Sequence, residues 1–112
     1  MPREIENWEA ALDALEAIGN GWKQRKRTLP EIAEQIMAIA PRGLNLKTFP
    51  WSKYGMERVY IQVRDDRGKL LTKRIFWQAG VLCWHYPPEQ RPEWFYALKE
   101  AIKKCDVYVW AP

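Results

Sequence analysis

An α+β domain is what the residue pattern of this chain predicts. Two N-terminal helices precede a β-β-β-α-β unit, whose four-stranded, mostly antiparallel sheet has the order 3-2-1-4. Three observations lead there. Val59, Ile61 and Val63 alternate with Arg58, Tyr60, Gln62 and Arg64, the period of a half-buried strand. Asp65-Asp66-Arg67-Gly68 then carries turn chemistry into a second alternating stretch, Lys69 to Trp77. Apolar residues at spacings of three and four mark amphipathic helices on either side of this hairpin.

The first helix is expected over roughly residues 3 to 18. Ile5, Trp8, Leu12, Leu15 and Ile18 form its apolar stripe, and Gly19-Asn20-Gly21 stops it. Trp22 to Arg27 reads as a basic linker. Thr28-Leu29-Pro30-Glu31 opens the second helix: Thr28 can cap, Pro30 suits the first turn, and Glu31 completes a capping box. Leu29, Ile32, Ala33, Ile36, Ile39 and Ala40 are its buried stripe, and Pro41 and Gly43 end it. Its charged residues are Glu31 and Glu34, so it lacks the Arg, Lys or Asn of a helix that reads base edges.

Leu44 to Met56 is expected to be a loop punctuated by Pro50 and Gly55. Lys47, Trp51, Lys53 and Tyr54 could form a rim beside the sheet, or Phe49 and Trp51 could lid the core. In the hairpin, Asp at the first turn position and Gly68 in a left-handed conformation would set Asp65 opposite Lys69. Continued without interruption, that register puts Gln62 by Thr72, Tyr60 by Arg74 and Arg58 by Phe76. One face then carries Val59, Ile61, Val63, Leu71, Ile75 and Trp77. The other carries Arg58, Tyr60, Gln62, Arg64, Thr72 and Arg74. Lys73 is the misfit on the apolar face; it must snorkel at an edge, or a bulge must shift the register.

Gln78-Ala79-Gly80 turns into a third strand, Val81 to Tyr86, ended by Pro87-Pro88. Pro92 opens a last helix with the stripe Phe95, Leu98, Ile102 and Cys105, and Val107 to Trp110 is a final strand. The crossover into that strand should be right-handed and parallel to the first strand. At 112 residues the chain reads as one domain, with a helical hairpin over 1–43 and the sheet with its crossover helix over 57–112. In element order, three strands followed by a helix, it resembles the three-stranded DNA-binding domains of plant transcription factors and phage-type integrases.

Charge is unevenly distributed. Residues 1 to 21 hold Arg3 against Glu4, Glu6, Glu9, Asp13 and Glu16, whereas residues 22 to 74 sum to +8, from thirteen cations and five acids. A basic middle fits a nucleic-acid binder. The candidate contacts are Arg58, Tyr60, Arg64, Arg67, Lys69 and Arg74 of the hairpin, with Lys23, Arg25, Lys26 and Arg27 of the linker. Arg pairs with phosphate bidentately, and Tyr60 beside Arg74 would orient its guanidinium through a cation–π contact.

Catalytic chemistry finds little support. Asp65 and Asp66 are adjacent in a turn, where they make turn structure. Cys83 and His85 share one strand face, but nothing marks an oxyanion hole, and with Cys105 they lack the paired spacing of a structural zinc site. There is no Gly-rich phosphate loop. The expectation is therefore a small non-enzymatic DNA- or RNA-binding protein, of phage or plasmid type, without metal or cofactor. The alternative is a protein-binding module or inhibitor that docks through a Trp- and Arg-rich rim (Trp22, Trp51, Trp84, Trp110). No signal-like leader or membrane-length apolar run stands in the sequence, so a cytoplasmic protein with reduced thiols and no membrane partner is expected.

Overall fold

The computed structural model describes residues 21–111. In chain order these are β1 (Lys23–Lys26), α1 (Leu29–Ala38), β2 (Leu44–Lys53), β3 (Met56–Asp65), β4 (Leu70–Gln78), β5 (Val81–Trp84), α2 (Glu93–Ile102) and β6 (Tyr108–Ala111). They fall into two compact units. The larger spans residues 27–107, and the smaller contains β1 and β6. The class is α+β, but the expected architecture is overturned. Among the described residues the helices are α1, after β1, and α2, near the C-terminus. The helix expected over residues 3 to 18 lies outside the described residues.

In the larger unit, β2, β3, β4 and β5 form a four-stranded antiparallel meander in that order. The expected order 3-2-1-4 fails because the place beside the Arg58 strand is taken by β2, not by the C-terminal strand. Pro50 and the aromatics suggested a loop there. Yet Leu44, Leu46 and Thr48 alternate with Asn45, Lys47 and Phe49 in strand fashion, and the first three are partly buried. Pro50 is accommodated because β2 is an edge strand, where a missing N–H can face outward. The likeness to three-stranded DNA-binding domains therefore does not extend to this sheet. β6 instead pairs antiparallel with β1, from Lys23↔Ala111 to Lys26↔Tyr108. The expected parallel crossover is absent, and the basic linker is itself a strand.

Both helices of the larger unit cover one face of the meander. Ile32, Ala33 and Ile36 of α1 and Phe95, Leu98 and Ile102 of α2 bury themselves with Val59, Ile61, Val63, Ile75, Trp77 and Leu82. Each buried Val, Leu, Ile or Phe side chain among them contributes about 1.5–3 kcal/mol of transfer free energy. The entry of α1 is set by its capping box: the Glu31 amide donates to Thr28 Oγ1 at 3.4 Å, and the Thr28 amide donates to the Glu31 carboxylate at 3.1 Å. Thr48 Oγ1 donates to the Ala33 carbonyl at 2.9 Å, which ties β2 to this helix. Cys105 follows α2 and packs against the core, and burial pushes its thiol above the usual range.

The β3–β4 turn forms as its residues dictate. The Asp65 carboxylate accepts the Arg67 and Lys69 amides at 2.9 and 2.8 Å, and Gly68 is left-handed at φ +86°. The register beyond it differs from the expected one. Pairing runs Arg64↔Leu70, Val63↔Thr72, then Ile61↔Ile75 and Val59↔Trp77, with irregularities on both sides of Val63. The second of these sets Lys73 and Arg74 against the single residue Gln62, as a bulge does. The first, which skips Leu71 between Arg64↔Leu70 and Val63↔Thr72, turns Thr72 onto the core side, where it is 8% exposed, while Lys73 is exposed. Thr72 Oγ1 accepts the Arg74 amide at 3.2 Å, so the bulge leaves neither group unsatisfied.

Candidate functional site

The side of the meander facing away from the helices is the part of the larger unit most suited to a ligand. Alternation puts Asn45, Lys47, Phe49, Trp51 and Lys53 of β2 there. Register sets them opposite Arg64, Gln62, Tyr60, Arg58 and Met56 of β3. None of these ten residues is a carboxylate. The two acids of β3 at paired positions, Glu57 and Asp65, have the opposite alternation and lie near its ends. β4 adds Phe76, which pairs with Tyr60, and Arg74 by the same alternation. β5 adds Cys83, paired with Phe76, and the chain beyond it adds His85 and Tyr86.

Arg58 is the most constrained cation on this face. Its Nε donates to Gln78 Oε1 at 2.9 Å and its Nη1 donates to the Tyr60 hydroxyl at 3.1 Å. Its guanidinium lies over Phe76 at 4.4 Å and near Trp51 at 5.6 Å. Tyr60 in turn meets Trp51 edge-on at 6.0 Å and Phe76 at 5.6 Å. Cation–π contact and two hydrogen bonds together hold the planar group in one orientation. Phe76, though on the open face, is only 7% exposed beneath this cluster. Phe49 is 46% exposed, with Lys47 Nζ over its ring at 5.7 Å.

Of the expected contact residues, the structure brings Arg58, Tyr60, Arg64 and Arg74 onto this one face. Two expected details change. Tyr60 lies opposite Phe76, not Arg74, because the irregularities on both sides of Val63 together shift β4 by two residues; Arg74 lies over Tyr86 instead, at 5.7 Å. Thr72 leaves the polar face for the core. Arg64 folds toward the turn, where its Nη1 donates to the Gly68 carbonyl at 2.9 Å. Arg67 and Lys69 are exposed in that turn. Lys23, Arg25 and Lys26 sit on β1 of the smaller unit, where all four strand residues are exposed. Arg27 is half-buried in the larger unit, and its amide donates to the Val107 carbonyl at 2.7 Å. Phe49 and Phe76 were not expected on this face, and Lys47 and Trp51 were expected only as a possible rim beside it. The period-two pattern of residues 44 to 49 is the signal that could have placed Lys47 and Phe49 on the face itself.

The Trp-rich rim does not assemble as one surface. Trp51 is on the open face, whereas Trp84 packs on Trp94 and Phe95 at 5.7 and 5.1 Å, on the helical side. Trp22 and Trp110 fall outside the larger unit. The two thiols are also apart: Cys83 is on the open face with its Sγ 3.8 Å from the Val81 carbonyl, and Cys105 is on the core side. A groove of about 420 Å³ beside β4 and the end of β5 is lined by Leu71, Arg74, Trp84 and Tyr86 among others. Among the described residues, no helix is long and apolar enough to cross a membrane. Comparison with known proteins finds no matching family model, no similar curated protein and no similar solved structure.

Proposed function

We propose that the protein is a non-enzymatic nucleic-acid binder that uses the open face of its four-stranded sheet. The observation that carries this is the charge of the β2–β3 face, which holds Lys47, Lys53, Arg58 and Arg64 and no carboxylate. Arg74 and Gln62 extend the same surface. A polyanion meets only attraction there, and Arg, Lys and Gln are the side chains that contact phosphates and base edges. The alternative, docking on a protein through a tryptophan rim, has less support because Trp51 and Trp84 lie on opposite sides of the sheet.

Salt dependence tests the reading. Each phosphate contact releases counterions, so log affinity should fall against log salt with a slope of about −0.9 per contact on duplex DNA and about −0.7 on single strands. Replacing Lys47, Arg64 and Arg74 together by Ala should flatten that slope by about two to three units. Arg58 is left out of this variant because it is bound into the sheet. Lys103 and Lys104, beyond α2, serve as the control pair, and their replacement should leave the slope nearly unchanged. The measurement is fluorescence anisotropy of labelled oligonucleotides across a salt series. No salt-dependent binding to DNA or RNA at micromolar protein would sink the reading and bring protein docking forward.

A further inference from the structure

We propose that the open face takes a single-stranded polynucleotide, with successive bases stacked on Phe49 and Trp51. This rests on the nucleic-acid reading above and specifies its substrate. A duplex hides the faces of its bases and offers a protein its phosphates and groove edges. A single strand can splay its bases onto exposed rings. Phe49 is such a ring, nearly half exposed on the edge strand, and Trp51, partly buried with the Arg58 guanidinium over it, follows two residues on by the same alternation.

Spacing favours an unstacked strand. Two residues along an antiparallel strand span about 6.8 Å. Bases stacked in a helix repeat at about 3.4 Å, so neighbours in a duplex could not each reach a ring of their own. An extended strand with separated bases can. Cations are placed to receive the backbone that links such bases. Lys47 stands over Phe49, and Arg58 lies beside Trp51 with its plane held by Gln78, Tyr60 and Phe76. A guanidinium held flat in this way needs no reordering on binding, and it is itself a surface on which a base can stack.

Four labelled probes of about 12 nucleotides test this, a length within the span such surfaces occupy. They are oligothymidylate, oligouridylate, an abasic strand of the same length, and a duplex. One or both of the based single strands should bind about tenfold or more tighter than the abasic strand and the duplex. Their ratio tells DNA from RNA. Phe49→Ala should weaken the based strands about tenfold and leave the abasic strand unchanged, and Phe49→Trp should restore the affinity. The abasic comparison needs no variant, so it stands even if Phe49→Ala unfolds, which a thermal melt would reveal. If the abasic strand and duplex bind as tightly as the based strands, with the salt slope intact, stacking is overturned and the phosphate reading survives. If no probe binds at low salt, both fall.

Discussion

Arg58 shows how one side chain can be divided between fold and site. Its guanidinium is hydrogen-bonded to Gln78 and Tyr60 and lies over Phe76, so it stabilises the contact of β3 with β4. Lys cannot make this planar, forked contact. Arg58→Lys should therefore lower unfolding free energy by about 1–2 kcal/mol, read from the urea midpoint. An equal loss on Arg64→Lys, at an exposed position, would show that the network is not the cause. Cys105 supplies a second expectation. Burial raises its thiol pKa above the unfolded value, so the folded state favours the protonated form. That stability is fully present below about pH 8.5, the ordinary thiol value, and is lost as pH rises through the higher folded value. Alkylation of Cys105 by iodoacetamide near pH 8.5, followed by mass spectrometry, should be much slower in folded than in denatured protein. Equal rates would refute the shift.

At the level of elements, the turns explain how a long meander keeps its register. Tyr54-Gly55 and Ala79-Gly80 are two-residue connections with positive φ at both positions, as type I′ turns require. This twist matches that of the flanking strands, yet Tyr54 at +54° and Ala79 at +50° are side chains that the left-handed region disfavours. Asn-Gly is the preferred pair for such a turn, so Ala79→Asn should stabilise by about 1 kcal/mol and raise Tm by about 5 °C. A fall in Tm would mean that the turn is not of this type. The Asp65 turn was legible because its chemistry is local: one carboxylate, two amides and one glycine within five residues. The bulge at Lys73-Arg74 was legible only as one of two ways to seat Lys73. Lys73 signalled that something had to give, but burying Thr72 in its place depends on the core that α1 and α2 build over Val63. The same holds for β2. Pro50 excludes a central strand, and only the assembled sheet reveals that this strand is an edge.

For the whole molecule, the main division within the larger unit is between two faces of one sheet. The helical face holds the apolar cluster from Ile32 to Ile102, and the open face holds cations and aromatics without an acid on β2 or β3. Binding and stability should therefore separate. The Lys47, Arg64 and Arg74 variant that flattens the salt slope should shift unfolding free energy by no more than about 0.5 kcal/mol per site, because exposed charges contribute little to folding. The sequence-wide charge asymmetry pointed to the middle of the chain as the basic region. It could not show that Lys23, Arg25 and Lys26 belong to a β1–β6 pair while Arg58, Arg64 and Arg74 belong to the meander.

What the residues alone determined here were features governed by neighbours in the chain. The capping box of α1, the apolar stripes of both described helices, the Asp65 turn and the alternation of β3 all depend on contacts a few residues apart. The partners of each strand were decided only by tertiary structure. β2 took the place assigned to the C-terminal strand because its alternating apolar residues can be buried beneath α1, while β6 found its hydrogen bonds on β1. Phe49, Trp51 and Phe76 joined the candidate site for the same reason. Cross-strand neighbours are set by register, and register follows from which residues the helices cover.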